Sequence, residues 1–276
     1  MQSEIERRPV VLAIGGHDPG GGAGIQADIE AIGANGCHAA TALTCLTVQD
    51  SCDVSGLIPQ SAEQLTAQCI AVIEDCRVSA IKIGLLGSLQ AAHAVIRLLE
   101  GFPDIPAIYD PVLAAGGGSE LSSEQLLMTI REDLLPLCNL ITPNTVEAAR
   151  LSAAGNSASL EQHAEILFQL GCRAVLITGT HDEQDQHRVI NRLYRPGISP
   201  LVRHYPRLPG EYHGSGCTLA AALAARIALG DNLQRATEAA LDYSWKTLQQ
   251  GFQTGRCQSM PNRWFRTPPE DALNQP

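Results

Sequence analysis

Between residues 10 and 250, short apolar runs alternate with longer stretches of helical period, and that alternation restricts the fold more than any other feature. Residues 10–14, 38–46, 80–83, 107–109, 140–142 and 174–178 read as buried strands. Residues 23–34, 61–76, 88–99 and 144–151 read as helices between them, and another helix opens at Ser122-x-x-Gln125. The start at Ser61-x-x-Gln64 is a capping box, and Leu65, Cys69, Val72, Ile73 and Cys76 then share one helix face. Strands separated by helices pair in parallel, so both faces of the sheet must be covered. The rhythm changes after residue 188: residues 189–194 and 200–205 read as an antiparallel pair joined at Pro196-Gly197. Two long helices, 215–229 and 233–250, follow. The reading is one α/β domain over residues 1–276, with residues 1–8 and 253–276 as peripheral tails, docked or frayed.

Ligands of such sheets bind at the carboxyl ends of the strands. Here those ends run into Gly15-Gly16-His17-Asp18, Gly84, Asp110-Pro111, Pro143-Asn144 and Gly179-Thr180-His181. Glycines, carboxylates and amides therefore gather on one rim, as an active site requires and stability does not.

The first loop, residues 15–24, lets backbone approach a ligand closely, although a flexible strand-to-helix connection would look similar. It is not a P-loop, which needs a lysine; the chain has only two, Lys82 and Lys246, and neither is near. Gly22-Ala23-Gly24-Ile25-Gln26-Ala27 matches a loose dinucleotide pattern, but it starts about eight residues past the strand, where that fingerprint opens directly at the strand end. No acid ends the next strand to hold a ribose. The second motif, His213-Gly214-Ser215-Gly216-Cys217-Thr218, opens an alanine-rich helix. Small residues leave its first N–H groups bare, which makes an anion site without any lysine; Ser215 as a plain cap is the alternative. Cys217 in the first turn is placed where a thiolate is favoured, or it is a small packing residue. In Thr142-Pro143-Asn144-Thr145-Val146-Glu147, Asn144 and Glu147 form a capping box, or they organise the waters of a nucleotide's Mg²⁺. Asp110 before Pro111 is either a turn starter or a further carboxylate for that cation.

A net charge of −10 argues against general binding to nucleic acid or anionic membranes, and no apolar stretch approaches the length of a bilayer span. Most of the nine cysteines sit in apolar runs and none form a C-x-x-C pair, so buried reduced thiols and a cytoplasmic location are expected.

Together these motifs resemble the hydroxymethylpyrimidine and phosphomethylpyrimidine kinases of thiamine biosynthesis, in the ribokinase-like superfamily. The resemblance rests on residues 18–28 ending Gly-Ala-Gly-Ile-Gln-Ala-Asp, Thr41-Ala42-Leu43-Thr44, Ile81-Lys82-Ile83-Gly84, Asp110-Pro111-Val112, Thr142-Pro143-Asn144 with Glu147, and residues 213–218. It implies a three-layer α/β/α fold with a mostly parallel sheet, and ATP and Mg²⁺ as cofactors. It implies that Asn144, Thr178, Gly179, His181 and His213 line the nucleotide and that Asp110 and Glu147 organise the metal. Gly214, Ser215, Gly216 and Cys217 would be catalytic: the first three supply the anion hole, and Cys217 stands at the substrate hydroxyl as base or as guide. Gly16, Asp18, Gly22, Asp28, Gln49, Gly84, Leu85 and Val112 would enclose the pyrimidine. The family's Gln after Thr44 falls on Leu46, so Gln49 is expected to supply the polar contact. His17 stands where the family has Ser, and Gly116-Gly117-Gly118 where it has Lys-Ser-Gly. The expected partners are the pyrimidine, ATP and a second copy in a homodimer, with no nucleic acid or membrane. The competing readings are a pyridoxal-type kinase, an idle pyrimidine-binding protein, and a cysteine hydrolase built on Cys217 and His213.

Overall fold

The computed structural model describes residues 7–114, 118, 120–155, 157–179 and 185–266. His181, Gly116, Gly117, the first six residues and the last ten lie outside the described residues. The strands are β1 (Val10–His17), β2 (His38–Gln49), β3 (Val54–Pro59), β4 (Val78–Ile83), β5 (Ala107–Tyr109), β6 (Leu140–Ile141), β7 (Val175–Ile177), β8 (Arg188–Arg195) and β9 (Ile198–Pro206). They form one sheet in the order β3-β2-β1-β4-β5-β6-β7-β8-β9. The six strands from β2 to β7 in that order run parallel; β3 and β8 run against them, and β9 pairs antiparallel with β8.

The helices are α1 (Gly24–Ala34), α2 (Ala62–Asp75), α3 (Leu89–Gly101), α4 (Glu124–Thr129), α5 (Thr145–Ser152), α6 (Leu160–Gln169), α7 (Ser215–Ala228) and α8 (Leu233–Gln249). Strand alternation divides the core between two layers. Leu12, Ile14, Ile81, Ile83 and Tyr109 pack with α2 to α6. Val11, Ala13, Ala80 and Ile108 pack with α1, α7 and α8. The run Ala220–Ala225, fully buried, lets α7 lie close on the sheet. Three layers result, α/β/α. The strand order reverses between β1 and β4, which leaves a crevice at their carboxyl ends.

Several expectations change in detail. β2 continues three residues past Leu46, because β3 pairs with it antiparallel, Leu46 against Ile58 and Val48 against Gly56. The helix expected at Ser122 starts one residue later: Ser123 accepts from Leu126 N–H, while the Ser122 hydroxyl donates to Glu120 and to the Leu113 carbonyl. It soon widens into a π turn over Ile130–Leu134. At Ser61 only half of the box forms, the hydroxyl accepting from Gln64 N–H. Cys52 and Cys257 form a disulfide, so the expectation of free thiols fails at this pair. Each lies in a polar turn segment, not in an apolar run. The other seven cysteines are free, five of them buried. Docking, not fraying, describes the part of the expected tail within residues 252–266. Phe252 bridges Met260, Tyr212 bridges Ser259, and Gln258, Met260 and Arg263 are buried. Among the described residues no helix is long and apolar enough to cross a membrane.

Candidate active site

The loop after β1 is folded around Asp18. Gly20 N–H donates to Asp18 Oδ1 at 2.7 Å and Ala23 N–H to Oδ2 at 2.7 Å. His213 Nε2 lies 2.8 Å from Oδ2. Burial works against the Asp18 anion, but hydrogen bonds from His213, Gln49 and Ala23 outweigh it and hold the carboxyl well below its usual range. An ionised carboxylate only accepts, so His213 carries its proton on Nε2. Asp18 is 2% exposed and its oxygens are engaged. Expected in the substrate wall, it instead shapes the loop that forms that wall. Gln49 reaches the same carboxylate from the end of β2, and so does His213, which was assigned above to the nucleotide. Leu46 is on the other face of β2, with Val48, and both are exposed.

Gly22 and Gly214 bring this loop against the start of α7. A Cβ on Gly22 would stand 2.1 Å from His213 and 2.5 Å from Met260 Sδ. Gly214 has φ +77° and its Cβ would strike the Gly22 carbonyl at 2.0 Å. Neither position admits a side chain. Gly214 caps α7 with no side-chain acceptor, so the first N–H groups of the helix stay open to an anion, as expected. Ala23 leaves the start of α1 uncapped in the same way, and Gly24 N–H donates to Cys217. Two helix N-termini thus converge at Cys217.

Beneath them is a charged cluster. Lys82 Nζ is 2.8 Å from Asp28 Oδ1 and donates to Oδ2 at 3.0 Å; the pair is 1% and 0% exposed. Burial works against the ammonium, yet Asp28, Cys217 and Asp110 raise its pKa above the ordinary value. Asp28, expected to enclose the pyrimidine, is here fully buried and paired with Lys82. Asp110 accepts from Thr142 Oγ1 at 3.2 Å and from the Cys217 thiol. Gly216 lies over Asp110, its Cβ position 3.5 Å from Oδ2. Burial pushes the Cys217 thiol up to about 12, with Lys82 opposing and Asp110 and Asp28 reinforcing. Of the alternatives left open for Cys217, burial and the two carboxylates disfavour the thiolate, against the helix start and Lys82.

On the nucleotide side, Asn144 and Glu147 complete the capping box of α5, with reciprocal bonds of 2.9 Å. Thr178 bridges Asn144, and Gly179 N–H donates to Asn191. Burial and then the charge of Asp110 push the Glu147 carboxyl up to about 8. Burial raises Asp110 as well, against Lys82 and the bonds from Thr142 and Cys217. Among the described residues no group of three or more His, Cys, Asp or Glu side chains is set to hold a metal. Two facing acids short of positive charge do fit a hydrated Mg²⁺, which needs few protein ligands. Gly16, Gly84, Leu85 and Val112 border the crevice from the ends of β1, β4 and β5. Thr44 steadies one side by donating to the Leu85 carbonyl at 2.6 Å.

Lys82, Thr142, Met260 and Arg263 are additions to the residues expected from sequence. Lys82 had a signal: an ionisable residue between Ile81 and Ile83 inside a buried strand needs a partner. Arg263 lies in a polar segment that carries no pattern.

A parallel sheet whose carboxyl rim joins an uncapped helix start to paired carboxylates is that of a ribokinase-like phosphotransferase. The phosphomethylpyrimidine kinase family model matches residues 18–262. A hydroxymethylpyrimidine/phosphomethylpyrimidine kinase of Streptomyces coelicolor is 36% identical over 250 residues, 90% of this chain and 91% of that protein. The chain belongs to the phosphomethylpyrimidine kinase family. Among solved structures, an ADP complex of Bacillus subtilis pyridoxal kinase superposes with a TM-score of 0.85 at 26% identity, covering 95% of this chain and all of that one. The phosphomethylpyrimidine kinase of Clostridium difficile gives 0.75 at 26% identity, covering 87% of this chain and all of that one.

Proposed function

We propose that the protein transfers the γ-phosphoryl group of ATP to the hydroxymethyl group of 4-amino-5-hydroxymethyl-2-methylpyrimidine, and then to its monophosphate, in thiamine biosynthesis. The observation that carries the reading is the uncapped start of α7 beside Asp110, within a chain 36% identical to a kinase of that name. The pyridoxal kinases share the fold at lower identity and are the second reading. Turnover with ATP, Mg²⁺ and each alcohol decides between them. Pyrimidine mono- and diphosphate are the expected products; turnover confined to pyridoxal overturns the assignment.

Phosphoryl transfer of this kind is mostly positioning and electrostatics. The N–H groups of residues 215–217 receive the charge that develops on the transferred group. Mg²⁺, held through Asp110 and Glu147, would neutralise phosphate charge. The loop around Asp18 and the backbone at Gly84 and Leu85 would enclose the ring. Nucleotide would lie along Asn144, Thr178 and Gly179. Cys217, protonated, orients the alcohol and passes its own hydrogen bond to Asp110. Cys217→Ser keeps that donor and should retain kcat within about tenfold, less than the ~10²–10⁴-fold that loss of a general base costs. A larger loss, with a pH profile breaking near neutrality, would restore the thiolate base.

Gln49, at the end of β2 beside Asp18, would supply the polar contact to the ring. Removing its bond to Asp18 loosens the loop as well, so Gln49→Ala should raise the pyrimidine KM about tenfold while sparing that of ATP, as expected for a polar contact worth roughly 1–1.5 kcal/mol. Equal KM values in variant and wild type would remove Gln49 from the substrate side. A cytoplasmic location is part of the proposal: the five buried free thiols support it, and the Cys52–Cys257 disulfide counts against it. A homodimer is likewise proposed, supported by the exposed apolar residues Leu46, Val48 and Ile58 of the β2–β3 hairpin. One kinase unit over residues 1–276 remains the domain assignment.

A further inference from the structure

We propose that Arg263 is a positioning residue that locks the substrate loop to the phosphate-binding helix start. It rests on the kinase reading given above. Arg263 follows the last helix by fourteen residues, is 2% exposed and is the largest fully buried side chain among the described residues. A buried guanidinium loses its hydration and persists only where its donors are matched. Here each nitrogen has a separate acceptor. Nε donates to Thr218 Oγ1 at 2.8 Å, Nη1 to Glu30 Oε2 at 3.0 Å, and Nη2 to the Gly22 carbonyl.

Two of those acceptors are the two halves of the site. Gly22 belongs to the loop folded on Asp18, and its carbonyl is wedged between Gly214 and the guanidinium. Thr218 is in the first turn of α7, and its hydroxyl donates to the Gly214 carbonyl at 2.8 Å. The planar fork of one arginine therefore sets the distance between the loop that encloses the alcohol and the N–H groups that receive the phosphate. A lysine's three donors leave a single nitrogen on a flexible stem, so it lacks the fork that fixes the two acceptors at a set separation.

The segment that delivers Arg263 is itself fastened at several points. The Arg263 carbonyl accepts from Tyr243 at 2.8 Å, and Asn262 N–H donates to the Thr247 carbonyl at 2.9 Å. Ser259 accepts from His213 N–H at 2.9 Å, next to the same helix start. Cys257 is bonded to Cys52, just beyond Gln49. The C-terminal segment thus reaches Gly22, His213 and Thr218 while it is held at several points of its own.

Arg263→Lys tests the role, with turnover and backbone hydrogen exchange measured together. Misplacing reacting groups by about 1 Å costs ~10²-fold, so kcat should fall about 10–100-fold while the KM for ATP changes less than about twofold. Exchange should quicken at residues 20–24 and 214–218. Glu30→Gln, at the outer and partly exposed end of the fork, should lower the melting temperature and leave kcat alone. If Arg263→Lys does not fold, Thr218→Val and Thr218→Ser take its place: the valine should lose rate and protection at residues 214–218, and the serine should regain both. Wild-type kinetics and exchange in folded Arg263→Lys, or equal behaviour of the two Thr218 variants, overturns the proposal. A wild-type protein that phosphorylates no pyrimidine overturns the kinase reading instead, and the exchange data then decide the role of Arg263.

Discussion

Glu147→Gln should lower kcat by about 10²–10³-fold, the usual cost of one electrostatic contact to a transition state, without lowering the melting temperature of the metal-free protein. The glutamine keeps an acceptor for Asn144 N–H, so the capping box of α5 survives. What it loses is the charge that faces Asp110. The sign of the stability effect follows from the raised pKa. An unfolded Glu147 ionises near 4.5, whereas the folded one keeps its proton up to about 8. The folded state therefore binds more protons between those values, and wild-type stability falls as pH rises through that window. Glutamine does not titrate. The variant's melting temperature should thus gain on wild type from pH 5 to pH 8, with the difference levelling off above 8. Mg²⁺ with nucleotide should reverse the order, because the cation relieves the repulsion only where both carboxylates remain. Full turnover with a lowered melting point would leave Glu147 a capping residue and nothing more.

The fold was legible where one strand or helix carries its own pattern. β5 and β7 are continuous apolar runs, β1 opens on one at residues 10–14, and β4 is apolar but for Ser79 and Lys82; their alternation with helices dictates the parallel sheet. β3 is different. Val54–Pro59 contains Gly56, ends in Pro59 and buries little, so its strand form depends on pairing with the far end of β2. The helix α6 escaped although its signal was present: Ser159 and Gln162 form a complete capping box of the kind read at Ser61. The Ser122 start was misplaced because Ser122 and Ser123 are equally good caps, and Glu120 and Leu113 engage the first. For the site, residue types were legible and directions were not. Asp18, Asp28 and His213 belong to the rim motifs, but only the folded chain shows that Asp18 pairs with His213 and Asp28 with Lys82. The thiol state of Cys217 was equally hidden, since the helix start is local and the opposing carboxylates come from distant strands and helices.

Lys82 separates stability from chemistry most sharply. Lys82→Met strands Asp28 in the interior without a cation, and breaking such a pair costs about 3–5 kcal/mol. The loss should be smaller at pH 5 than at pH 8, because burial already raises the Asp28 carboxyl and an unpaired acid takes up a proton. The double variant Lys82→Met with Asp28→Asn removes both charges and should recover most of the melting temperature. It should not recover turnover. Lys82 also offsets Asp110 and Cys217, and its Nζ lies 2.8 Å from where a Cβ on Gly84 would sit, directly under the backbone that borders the substrate. Without that positive charge, the anionic phosphoryl group meets Asp110 uncompensated, and kcat should stay down by about 10²-fold or more. Thermal melts across pH, set beside kcat for the single and double variants, read the two effects separately. A double variant that regains both stability and rate would reduce the buried pair to scaffolding. One that regains stability alone makes the lysine part of the field in which the phosphoryl group is transferred, a role that a cluster of opposite charges beneath two converging helix N-termini is built to play.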